Sequence, residues 1–129
     1  MPQEESVPLV AVIDDDESVR RALARLLRIG GYRVEAFASA AELQEAWSGF
    51  AFACLVLDIH LGGMSGLDLM ESLQEAGSGV PVIIITAHED ESAEERAARG
   101  GASAFLRKPL DAAVLLEQVR RAVSQAPAA

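Results

Sequence analysis

Leu9-Val10-Ala11-Val12-Ile13 runs straight into Asp14-Asp15-Asp16, so a short apolar segment is closed abruptly by three carboxylates. A run of this length without alternation suits a strand buried on both faces. The same grammar recurs downstream: Cys54-Leu55-Val56-Leu57 is followed by Asp58, and Val82-Ile83-Ile84-Ile85 by Thr86. Strands are expected at Leu9–Ile13, Tyr32–Phe37, Ala53–Leu57, Val82–Thr86 and Ala104–Leu106. Tyr32-Arg33-Val34-Glu35-Ala36-Phe37 alternates with charge, as befits an edge strand whose outer row must discourage foreign pairing.

Between these runs apolar residues recur at helical spacing. The first helix shows Val19, Ala22, Leu23, Leu26 and Leu27 on one face, with Arg20, Arg21, Arg25 and Arg28 off it, and Gly30-Gly31 ends it. Ser39 with Glu42 forms a capping box for a second helix reaching about Trp47, and a third runs from Gly66 to Gly77-Ser78-Gly79. The fourth, Ser92–Arg99, offers only Ala93, Ala97 and Ala98 to the core and is expected to be the loosest. Asp111 caps a last helix carrying Ala112, Leu115, Leu116, Val119, Ala122 and Val123 on its inner face. Strands alternating with helices predict an α/β domain with a parallel sheet.

Composition narrows the function. The chain has 129 residues, half of them hydrophobic, which is one domain's worth of core. Its net charge of -9 disfavours binding to nucleic acid or anionic membrane through this domain itself. No apolar run approaches the roughly 20 residues of a membrane span, and the acidic, polar Met1–Ser6 does not read as a secretory signal, so a cytoplasmic location is expected. Residues 1–6 and 125–129 read as tails around a domain at 7–124. Cys54, the single cysteine, sits inside an apolar run and reads as an inert core thiol.

In an open parallel sheet, ligands collect beyond the carboxyl ends of the strands. There the sequence places Asp14-Asp15-Asp16, Asp58, Thr86 and, after Arg107, Lys108-Pro109. Any one acid could be a loop residue or a helix cap, and Asp16 suits the start of the first helix. Four strands delivering acids, a hydroxyl and an amine to one edge form a more specific pattern. Gathered carboxylates repel unless a cation neutralises them, and hard oxygen ligands favour magnesium over zinc.

These residues carry a resemblance. Asp14-Asp15, Leu57-Asp58, Met64-Ser65-Gly66, Thr86-Ala87 and Phe105 with Lys108-Pro109 make the chain resemble the receiver domains of two-component response regulators, from Leu9 to Val123. The resemblance implies a flavodoxin-like (βα)5 sandwich with a five-stranded parallel sheet of order 2-1-3-4-5. It implies a phosphoryl group taken from a sensor histidine kinase or phosphotransfer protein onto Asp58. Magnesium (Mg2+) would be held by Asp15 and Asp58 directly, by Asp14 through water and by the backbone carbonyl of His60. Lys108 would pair with a phosphoryl oxygen and Thr86 would donate its hydroxyl. Thr86 and Phe105 would move together as a switch acting on the fourth helix, fifth strand and last helix, with a phosphorylation-dependent homodimer as one outcome. His60 and His88 would tune water access to the acyl phosphate; lacking a tight ligand spacing, they do not read as a zinc pair. In style the chain is closest to receivers joined to helix-turn-helix transcription regulators.

One departure stands out: receivers usually carry proline after the phosphorylated aspartate, where this chain has Leu61-Gly62-Gly63. Gly62 is expected to make the loop more mobile and magnesium binding weaker. Two rival readings share parts of the pattern. A haloacid-dehalogenase-like phosphatase would use Asp14-x-Asp16, Thr86 and Lys108 but leaves Asp58 without a role and lacks an acidic pair after Lys108. A flavin carrier of the same fold would need hydroxyls and amides, not three aspartates, in the first loop.

Overall fold

In a computed structural model, which describes residues 7–49, 51–87 and 91–125, five strands and five helices alternate along the chain. The strands are β1 (Leu9–Ile13), β2 (Arg33–Phe37), β3 (Cys54–Asp58), β4 (Val82–Thr86) and β5 (Ala104–Arg107). The helices are α1 (Glu17–Ile29), α2 (Ala40–Ala46), α3 (Gly66–Glu75), α4 (Glu91–Arg99) and α5 (Ala112–Gln125), with a 3-10 turn at Trp47–Gly49 after α2. All pairings are parallel and the sheet order is β2-β1-β3-β4-β5, as expected. Among the described residues no helix is long and apolar enough to cross a membrane.

Successive residues of a strand point to opposite faces, and each face here has its own core. On one, Ala11, Ile13, Leu55, Leu57 and Ile84 pack under α2, α3 and α4. On the other, Val10, Val12, Val56, Ile83 and Ile85 pack under α1 and α5. Each strand of the central three is buried from end to end, which is why its sequence shows no alternation. β2 is an edge strand, as its charge alternation predicts, with Arg33 and Ala36 exposed and Val34 and Phe37 buried.

The helix starts follow local chemistry. Asp16 caps α1, its side chain accepting from the Val19 N–H at 3.1 Å. Ser39 caps α2 by accepting from the Glu42 N–H at 3.1 Å, while Glu42 reaches past the cap to accept from the Ala38 N–H at 3.0 Å, one residue beyond an ordinary capping box. Asp111 caps α5 by accepting from the Val114 N–H at 3.1 Å.

Three alanines differ from expectation. Ala22, Ala98 and Ala112 are exposed, and α1 buries Ala24 instead. A single methyl contributes so little burial that alanine marks either side of a helix equally well. Two element ends differ by a residue: Asp58 closes β3 itself, and Gln125, read as tail, is the last residue of α5.

Candidate functional site

Register brings the polar residues together. Ile13 on β1 pairs with Leu57 on β3, so the next residues, Asp14 and Asp58, emerge side by side. Asp58 in turn pairs with Ile85, directly before Thr86, and Thr86 pairs with Arg107, directly before Lys108. From each strand to the next the polar residue shifts by no more than one position, so every apolar run delivers its terminal polar residue to the same edge.

Asp14 and Asp58 are almost fully enclosed, at 0% and 4% exposure, and Thr86 is at 1%. A buried carboxylate needs partners. Lys108 supplies them, its Nζ donating to Asp14 Oδ2 at 2.9 Å and to Asp58 Oδ2 at 3.3 Å. Asp14 Oδ1 accepts from the Asp16 N–H at 2.9 Å, and Asp58 Oδ1 accepts from the His60 N–H at 3.1 Å. Burial pushes the Asp58 carboxyl above its usual range, with the Asp14 charge adding to the effect and the His60 N–H and Lys108 opposing it. Burial alone would lower the Lys108 ammonium, but its bonds to the two carboxylates outweigh that and hold it above its ordinary value.

Asp15, exposed, completes a triad in which one carboxylate oxygen from each of Asp14, Asp15 and Asp58 lies within 4.8 Å of the others. All the donors are hard oxygens, with no imidazole or thiolate among them, a set that suits a small divalent cation. His60 is exposed and contributes its backbone to Asp58 rather than its ring to the triad. His88 lies outside the described residues, as do residues 1–6 and 126–129 of the expected tails.

Phe105 pairs with Ile84 and packs, half-buried, against the core under α2, α3 and α4. Alternation along β4 puts Ile84 and Thr86 on one face, so Phe105 and Thr86 are diagonal neighbours there. The Lys108–Pro109 peptide bond is cis.

The loop after β3 turns on two glycines. Gly62 has φ +58° and Gly63 φ +70°, left-handed conformations that a side chain resists and that proline, fixed near −65°, cannot adopt.

Three further residues make contacts that were not read from the sequence, two of them at the site. Gly66 opens α3 against the end of β3: a Cβ there would run into the Asp58 carbonyl oxygen. Its motif was visible, but its contact was not. Arg20, expected on the solvent face, is half-buried and donates to the Asp14 carbonyl oxygen at 2.9 Å. Arg96 on α4 pairs with Asp68 and Glu71 of α3, both at 2.6 Å. The Arg20 signal was present as a charge in line with Leu23, Ala24 and Leu27; the Arg96 pairing spans a long stretch of chain and leaves no local trace.

The phosphatase alternative fails on Asp16. That motif needs Asp14 and Asp16 both at the site, whereas Asp16 is exposed and spent on the α1 cap, and Asp58 occupies the cluster in its place.

Similarity to known proteins points the same way as the geometry. A family model described as the response regulator receiver domain matches residues 10–120. Nodulation protein W of Bradyrhizobium diazoefficiens is 42% identical over 111 residues, covering 86% of this chain and 49% of that protein. The transcriptional regulatory protein FixJ of Azorhizobium caulinodans is 39% identical over 121 residues, covering 94% of this chain and 57% of that protein. The crystal structure of FixJ-N superimposes with a TM-score of 0.87 at 31% identity, covering 95% of this chain and 98% of that one. The chain thus spans about half the length of the curated relatives it matches. With the family's pattern extending from the first strand into the last helix, this chain belongs to the response regulator receiver domain family, and it is a signalling switch unit rather than a turnover enzyme.

Proposed function

We propose that Asp58 is the phosphoacceptor of this receiver. A carboxylate oxygen of Asp58 attacks the phosphorus of a phosphohistidine on a sensor kinase or phosphotransfer protein. The P–N bond breaks, a P–O bond forms, and the imidazole leaves to take up a proton. Asp14, Asp15 and Asp58, with the His60 carbonyl, would hold Mg2+, which when bound supplies positive charge to the phosphoryl oxygens. Residues 7–124 form the acting unit, in the cytoplasm, with no contact to nucleic acid or membrane through this domain.

The observation that carries this reading is the Lys108 ammonium bonded to Asp58 Oδ2 inside an acidic cluster. A dianionic group entering a net-negative domain needs fixed positive charge where it lands, and Lys108 is already aimed there. Thr86 donates its hydroxyl to the phosphoryl group, and its movement frees space that Phe105, its diagonal neighbour, turns to fill. That change passes to α4, β5 and α5, where an output domain or a second phosphorylated copy reads it. Relatives named as transcriptional regulators, which extend well beyond the part this chain matches, support coupling to a DNA-binding output. The only catalysis is on itself, formation and loss of the Asp58 phosphate, with the exposed His60 and with His88 tuning water access.

Incubation with acetyl phosphate and Mg2+ tests this. One acid-stable, base-labile phosphate is expected on Asp58, absent in Asp58→Asn and absent with EDTA. Continuous release of phosphate from the donor without a labelled protein, or undiminished labelling of Asp58→Asn, would overturn it.

A further inference from the structure

Arg20 carries a charge on the buried stripe of α1. Leu23, Ala24 and Leu27 make that stripe, and Arg20 precedes them at the spacing that puts it on the same face. A guanidinium turned inward needs an acceptor, and it has one: Nη1 donates to the Asp14 carbonyl oxygen at 2.9 Å. That oxygen belongs to the peptide joining Asp14 to Asp15.

The rest of Asp14 is held independently. Its N–H donates to the Phe37 carbonyl at 3.2 Å, and its carboxylate oxygens accept from the Asp16 N–H and from Lys108. Asp15 is different: it is exposed, and no hydrogen bond among the described residues holds its side chain, yet its carboxylate sits in the triad. Its place is therefore set through the backbone, and Arg20 grips the peptide that sets it.

We propose that Arg20 is a positioning residue for cation binding: by fixing the plane of the Asp14–Asp15 peptide, it keeps the Asp15 carboxylate in the triad. The planar fork and permanent charge of arginine suit a carbonyl at the rim of an acidic site. A second effect has the opposite sign. A fixed cation near the triad repels Mg2+, so an Arg20 acting only through its charge would weaken metal binding, and its removal would tighten it. The inference rests on the receiver reading of the site.

The test compares the full wild-type chain with Arg20→Met, Arg20→Lys and, as a control two turns along the same stripe, Leu27→Ala. Mg2+ binding is measured by calorimetry, and exchange of the Asp16 amide by NMR without metal. Arg20→Met is expected to raise the Mg2+ dissociation constant about tenfold, in line with removal of an outer partner of a metal ligand, and to speed Asp16 exchange. Arg20→Lys recovers most of both, whereas Leu27→Ala lowers the melting temperature and leaves Mg2+ affinity unchanged. Unchanged or tighter Mg2+ binding by Arg20→Met, while the wild type binds and is labelled at Asp58, would overturn this inference alone. A wild type that neither binds Mg2+ nor takes label would overturn the receiver reading with it.

Discussion

Lys108 Nζ reaches from the end of edge strand β5 across β4 to Asp58 Oδ2 on β3, at 3.3 Å, and the same nitrogen meets Asp14 Oδ2, directly after β1, at 2.9 Å. One ammonium thus ties together the ends of three strands at the point where two enclosed carboxylates would otherwise face each other. At 20% exposure its side chain is shielded enough for the pairing to count in the free energy of folding.

Removing that ammonium leaves two uncompensated buried charges. Lys108→Met is expected to lose about 1–3 kcal/mol of stability at pH 7 without Mg2+, below the cost of a fully buried pair because the amine keeps some water. The folded-state pKa of Lys108 is raised, so its contribution is complete below its ordinary value of 10.5 and disappears only as pH climbs through the higher folded value. Urea denaturation of both proteins from neutral to alkaline pH checks this. The gap is expected to stay constant up to the ordinary lysine value, and to shrink at neutral pH when Mg2+ is added.

Asp58 contributes with the opposite sign. Its carboxyl is held above the usual value of 3.8, first by burial and then by Asp14, so the folded protein keeps that proton longer than the unfolded chain does. Stability from this group is therefore present at acid pH and falls as pH rises through the folded value. Asp58→Asn keeps an oxygen for the His60 N–H and leaves Lys108 its bond to Asp14. In EDTA at pH 7 it is expected to melt a few degrees above the wild type, and to lose that advantage below pH 3.8. A lower melting point at pH 7 would show that ionised Asp58 is a net stabiliser.

The fold was legible because its inner strands are apolar throughout and each ends in a polar residue. That pattern located Asp14, Asp58 and Thr86 before any pairing was known. Register was not legible, since nothing in Ile13 or Leu57 announces that they lie opposite each other, and the Lys108 contacts depend on it. Arg20 was misread because charge on a helix usually means solvent, although its alignment with Leu23 and Leu27 argued otherwise. Gly62 stood out as a departure from proline, but its left-handed φ, which composition cannot specify, was not legible.

Gly66 sets how closely α3 approaches the strand end. Its N–H donates to the Ile59 carbonyl at 2.8 Å, and the space a Cβ would need is taken by the Asp58 carbonyl. Gly66→Ala must move either α3 or the end of β3, an overpacking cost of roughly 1–3 kcal/mol. It is expected to weaken Mg2+ binding and slow labelling of Asp58 together. Gly77→Ala provides the contrast: Gly77 has φ +89° and open space around it, so the strain is conformational and stays at the far end of α3. That variant is expected to lose stability with Mg2+ affinity intact.

α4 buries only Ala93 and Ala97, so its apolar footprint is too small to fix its position firmly. Polar contacts add what the methyls do not. Arg96 bridges to Asp68 and Glu71 on α3, and Glu94 pairs with Arg107 of β5 at 3.2 Å. Its hydrogen bonds to Glu71 and then Asp68 hold the Arg96 guanidinium above its ordinary pKa, while the Glu71 carboxyl is held below its own range, first by the hydrogen bond from Arg96. Both side chains are more than a third exposed, so salt screens the pairing, and its loss is expected to free the helix locally without unfolding the domain. Arg96→Ala, or 1 M NaCl on the wild type, is expected to speed amide exchange across Glu91–Arg99 several-fold while exchange in β4 stays unchanged. If α4 exchanged at the wild-type rate in both conditions, its two alanines would be sufficient to hold it, and the α3 acids would have no part in setting where the helix sits.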